Sequence, residues 1–116
     1  MNIRLSPESV RMRISQEEAS VLERERHLSQ RIPLPEEGMS LDVSLRDDLA
    51  EPARFCLKGL HVEVVLNRQD FRAVVAGKAS KDSGIRIPIG CFGDAPLEFV
   101  FEIDAFSRKS KKEAEN

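Results

Sequence analysis

The sequence predicts an α+β fold: a mostly antiparallel sheet of about seven strands with two helices on one face, built by internal duplication of a strand-helix-strand-strand unit. Apolar residues alternate with polar ones through most of the chain, which is the period of strands buried on one side only. Two of these alternating runs end at residues suited to capping helices, Ser15 and Asn67. The segments after the two caps then follow the same order, down to the echo of Arg31-Ile32-Pro33-Leu34 in Arg86-Ile87-Pro88-Ile89.

Taken in order, Ile3 and Leu5 alternate with Asn2 and Arg4, and beyond Pro7 the residues Val10, Met12 and Ile14 alternate with Ser9, Arg11 and Arg13. This makes two short strands or one kinked strand. Ser15 followed by Glu18 is a capping box, opening a helix from Gln16 to Arg26 that turns Ala19, Val21 and Leu22 inward. Leu28 to Leu34 reads as a strand stopped by Pro33 or Pro35, and Pro35-Glu36-Glu37-Gly38 as a turn. Leu41, Val43 and Leu45 form the next strand. After the loop Asp47 to Pro52, Ala53, Phe55 and Leu57 lead through a Lys58-Gly59 turn into Leu60, Val62, Val64 and Leu66.

Asn67 caps a second helix, Arg68 to Ala76, which buries Phe71, Val74 and Val75 and stops at Gly77. Lys78 to Gly84 reads as loop, Ile85 to Ile89 as a short strand, Gly90 to Pro96 as a turn-rich connection, and Leu97 to Ala105 as the last strand. A single domain spans 1–106, with pseudo-repeats at 9–46 and 60–106, and 107–116 form a mobile charged tail. The expected core is Ile3, Val10, Met12, Ile14, Leu22, Leu41, Val43, Phe55, Val62, Val64, Phe71, Val75, Ile87, Phe99, Phe101 and Ile103.

Composition narrows the function. The 116 residues suit one modest core, and a net charge of -2 argues against a broad nucleic-acid-binding surface. No apolar run approaches the roughly 20 residues that span a bilayer, and the charged opening MNIRLSPESVRMR is unlike a signal peptide, so a cytoplasmic location is expected. Cys56 and Cys91 have no CxxC spacing and read as free thiols. With no Trp or Tyr and six Phe at mostly core-like positions, stacking platforms for bases or sugars are scarce.

The opening NIRLSPESVRMRISQEE and the closing LEFVFEIDAF resemble the ends of a small bacterial family of domains of unknown function. There a basic alternating strand runs into a Ser/Thr-Gln-Glu helix cap and the chain closes on a strand of the Val-Glu-Lys-Asp-Phe kind. The resemblance carries no catalytic residue with it. More distantly, the duplicated units are similar to those of the triphosphate tunnel (CYTH-like) proteins, although Arg11-Met12-Arg13 stands where that family has its acidic Glu-x-Glu-x-Lys strand.

No Walker loop, dinucleotide glycine pattern, zincin helix or nucleophile elbow is present in the sequence. Gly90-Cys91-Phe92-Gly93 reads as a turn rather than an RNA-binding Gly-x-x-Gly loop, and neither His27 nor His61 is placed by sequence to activate Cys91. Both histidines read as structural, while Arg31 and Arg86 read as equivalent positions of the two units. No catalytic residue is assigned.

The expected function is a non-enzymatic cytoplasmic interaction module, its partner a protein or a second copy met through exposed edge strands, with neither nucleic acid nor membrane involved. The alternative is a charged groove or tunnel that binds or hydrolyses a phosphorylated small molecule with a divalent metal, Mg or Mn. In that reading Arg4, Arg11, Arg13, Arg54, Lys58 and Glu63 bind the ligand, and Glu98, Glu102 and Asp104 hold the ion. Cross-strand salt bridges are the plainer explanation of the same residues.

Overall fold

A computed structural model describes residues 1–77, 84–92 and 94–104. Its elements run β1 (Asn2–Leu5), β2 (Ser9–Ile14), α1 (Gln16–Glu25), β3 (His27–Ile32), β4 (Met39–Arg46), β5 (Ala53–Lys58), β6 (His61–Asn67), α2 (Arg68–Val75), β7 (Ile85–Phe92) and β8 (Ala95–Ile103). The α+β class and both helices are as expected. The strands, however, form two four-stranded sheets, β1-β2-β8-β7 and β3-β4-β6-β5, instead of one sheet of about seven. Each sheet is mixed: β2 runs parallel to β8 and β4 to β6, while the flanking pairs are antiparallel. Alternation tells which side of a strand is buried and nothing about the direction of its neighbour, so these central parallel pairs leave no mark in the pattern.

Local chemistry sets the strand-to-helix junctions. Ser15 Oγ accepts the Glu18 amide at 3.1 Å, and the Glu18 carboxylate accepts the Ser15 amide at 2.9 Å, completing the capping box. α1 ends at Arg26, whose amide makes the last helical bond, to the Leu22 carbonyl at 2.8 Å, and whose left-handed φ of 64° then turns the chain out of the helix. At the second junction Asn67 Oδ1 accepts the Gln69 and Asp70 amides, while its Nδ2 donates to the Leu49 carbonyl at 2.9 Å. One side chain therefore caps α2 and pins the loop that precedes β5.

Inward residues of both sheets, together with Ala19, Leu22 and Phe71 of the helices, make one apolar core. Phe55 of β5 meets Phe99 of β8 at a ring separation of 5.2 Å, and Phe71 of α2 meets Phe101 at 6.1 Å. The helices thus close the space between two sheets, where one sheet covered by two helices was expected. They lie beside each other, joined by Glu23 to Arg68 and Arg72. Among the described residues no polar or charged residue is buried.

Val75 and Val100 depart from the expected faces. Val75 is 51 % exposed, because α2 turns it toward the groove between the helices. Val100 is fully buried although it lies on the polar side of β8: its register partners are Arg11 and Arg86, whose long aliphatic stems shield it. The last strand ends at Ile103 with Asp104 beyond it, and Ala105 and the tail at 107–116 lie outside the described residues. β7 and β8 also extend into the expected turn region, pairing Cys91 with Pro96 and Phe92 with Ala95.

The second sheet repeats the strand order of the first when β1, β2, β7 and β8 are matched with β5, β6, β3 and β4. The four-letter echo does not follow this match. Phe101 pairs with Met12 and Val43 with Val64, each three residues before the residue that caps the following helix, Ser15 or Asn67. Their outer partners are Ile85 and Leu28, which aligns Arg86 with Ser29 and Arg31 with Pro88. Arg31 and Arg86 are therefore two residues out of phase, and their expected equivalence is corrected.

Candidate functional site

Charged side chains occupy the outer faces of the two sheets. On the first, Arg4 of β1 stands opposite Arg11 of β2, and Asn2 opposite Arg13. Glu102 of β8, in register with Arg13, receives Arg11 Nη1 at 2.8 Å and Arg13 Nη2 at 3.4 Å. Arg4, Arg11, Arg13, Asn2 and Glu102 line a cavity of about 30 Å³. Farther along this face Arg86 binds Glu98 at 2.9 Å, and the amide of Asp104 donates to the Ile14 carbonyl at 2.8 Å.

Arg54, Lys58 and Glu63 lie on the outer face of the other sheet, where Arg54 pairs with Glu51 at 2.8 Å. The apolar core separates the two groups. The structure accordingly gathers Arg4, Arg11, Arg13 and Glu102, keeps Glu98 and Asp104 on the same sheet, and does not bring Arg54, Lys58 or Glu63 to them. No single channel holds all nine. Among the described residues no cluster of three or more His, Cys, Asp or Glu side chains has the arrangement of a metal site.

A cluster that sequence reasoning missed lies on the second sheet. Asp42 Oδ1 accepts from Ser29 Oγ and stands 3.1 Å from His27 Nε2, while Asp42 Oδ2 is 3.5 Å from His61 Nδ1. Ser40 Oγ is 2.6 Å from that same Nδ1. The Ser29 hydrogen bond holds the Asp42 carboxyl below the usual range, against the opposing effect of partial burial and with help from both histidines. Ser40, His61 and Asp42 have the composition of a hydrolytic triad but not its connectivity. A relay needs the base to face the serine through one ring nitrogen and the carboxylate through the other, whereas here both crowd Nδ1. The cluster depends on β4 and β6 being parallel neighbours, so no signal in the sequence assembles it.

Two larger concavities are apolar. The groove between α1 and α2, about 410 Å³, has Ala19, Val75, Ala76 and Ile103 among its walls. Glu23 sits at its side, held below the ordinary carboxylate range chiefly by its hydrogen bond from Arg72. A seam of about 530 Å³ separates β5 from β7 and is lined by Ala53, Phe55, Ile87, Pro88 and Ile89, with Arg54 and Arg86 at its rim. Cys56 is half-buried and Cys91 exposed, and neither is in a disulfide.

No helix among the described residues is long and apolar enough to cross a membrane. No protein-family model, curated protein or solved structure matches the chain.

Proposed function

We propose that this chain is a non-enzymatic cytoplasmic binding module that takes an extended strand of a partner protein along the free edge of β5. The observation that carries this reading is the edge itself. Among the described residues β5 pairs only with β6, and its other side opens onto the apolar seam beside β7. Free edges template pairing with another chain unless they are blocked. β7 is blocked by Pro88 and by an irregularity between Pro88 and Gly90; β5 has no proline within it and carries Leu57, 58 % exposed, one residue before its end.

The chemistry of the edge specifies the partner. Lys58 has no ion-pair partner among the described residues, so a strand with a carboxylate opposite it complements the charge. Apolar residues at alternate positions of that strand would cover Leu57 and enter the seam over Phe55, Ile87 and Ile89. We also infer a duplicated origin for the two sheets, supported by their matched strand orders. In that match Leu5 of β1 corresponds to Leu57, and it too is exposed, at 66 %.

The test is a panel of seven-residue peptides alternating Glu with Val or Phe, titrated against the labelled protein while backbone amide shifts are followed. Binding is expected to move the amides of Ala53–Lys58 and to weaken at least tenfold in a Leu57→Asp, Lys58→Glu variant. Absence of peptide binding by a strict monomer would overturn the proposal. If light scattering instead shows a dimer broken by the same substitutions, the occupant is a second copy rather than a partner protein.

A further inference from the structure

We propose that Arg4, Arg11 and Arg13 form a binding site for a phosphoryl dianion, either free phosphate or the terminal group of a small phosphate monoester. The argument begins with a local conflict in the sheet. Arg4 and Arg11 are direct cross-strand partners on one face of β1 and β2, and like charges placed so oppose the pairing of their strands. Arg13 adds a third guanidinium on the same face, two residues along.

One carboxylate serves two of the three. Glu102 is shared by Arg11 and Arg13, and Arg4 has no ion-pair partner among the described residues. Three positive charges against one negative leave an excess of two around the small cavity that these side chains line with Asn2. A single dianion neutralises that excess. Guanidinium forks offer paired N–H donors that match phosphate oxygens, and the Asn2 side chain adds a further polar group at the same wall. A cavity of about 30 Å³ suits oxygens of one phosphoryl group and offers no track for a polymer.

This site lies on the other sheet from the β5 edge and stands independently of the peptide reading. The intact protein is titrated with inorganic phosphate, methyl phosphate and dimethyl phosphate at constant ionic strength, following the arginine Nε–H resonances. Phosphate or methyl phosphate is expected to bind at millimolar concentration or tighter, with dimethyl phosphate, a monoanion, at least tenfold weaker. Stronger binding of methyl phosphate identifies a monoester as the ligand, and equal or stronger binding of inorganic phosphate identifies the free ion.

Arg4→Gln is expected to weaken binding at least tenfold while leaving the melting temperature of the ligand-free protein unchanged or higher, because it removes the opposed pair. Arg86→Gln, already matched with Glu98 on the same face, serves as the control and should bind within twofold of the unaltered protein. No binding at 10 mM (about 10⁻² M, a free energy of only about -2.7 kcal/mol), equal binding of the diester, or undiminished binding by Arg4→Gln would each overturn the proposal.

Discussion

Asp42 shows how much one residue's environment depends on strands that the sequence does not reveal as neighbours. Its partners come from β3 and β6: Ser29 and His27 on one side, His61 on the other. Since the folded carboxyl titrates below its unfolded value, near 3.9, its contribution to stability is fully present above that value. It is lost as the pH falls through the lower folded value. With a quarter of the side chain exposed (25 %), solvent screening keeps this contribution to about 1 kcal/mol or less. Asp42→Asn should therefore destabilise the protein near pH 6 by that amount and show a shallower loss of stability between pH 5 and 3. The check is the unfolding free energy from urea titrations across that range; parallel curves for the two proteins would remove Asp42 as a source of acid sensitivity. The alternation Leu41-Asp42-Val43 made the outward position legible, but the identity of the groups facing it required the register of three strands.

Elements were legible where short-range chemistry dictates them and illegible where contacts are long-range. The Ser15 and Asn67 caps announce both helices because each is satisfied within three residues of its own chain. Val100 and Val75 broke the simple alternation rules because their burial is decided by Arg11, Arg86 and the neighbouring helix rather than by their own strand or turn. Gly84 is a further case. It read only as the end of a loop, yet a Cβ at this position would collide with the carbonyl oxygen of Phe101 and crowd the Glu102 side chain. Glycine allows the start of β7 to approach β8 here, next to the fully buried Phe101. Gly84→Ala should cost about 1–3 kcal/mol, as overpacked sites do, because the obstructing atom is backbone and cannot rotate away. Gly59→Ala, at φ 57° with open space around its Cβ position, separates steric collision from conformational cost in the same denaturation assay. A Gly84→Ala variant as stable as the parent would mean that the two strands separate without loss.

At the scale of the whole molecule the decisive feature is how the two halves of the chain share the sheets. β1 and β2 pair with β7 and β8, and β3 and β4 pair with β5 and β6, so each sheet takes two strands from either half. Neither the first half nor the second can complete a sheet, and Phe55 and Phe99 join the sheets across one core. The central parallel contacts, β2 with β8 and β4 with β6, both cross between the halves. Fragments 1–50 and 51–116, cut in the loop between β4 and β5, should each lack cooperative unfolding when monomeric at micromolar concentration. Mixed in equal amounts, they should recover the far-ultraviolet circular dichroism of the intact chain and a single melting transition. That transition should rise with concentration, because folding is now bimolecular. The loop contributes Leu49, buried at 8 % exposure and tied through its carbonyl to Asn67, so some stability should be lost even in the reassembled pair. A monomeric half that melts cooperatively by itself would show that local contacts suffice for folding and that the interleaved sheets are not the source of the fold's cohesion.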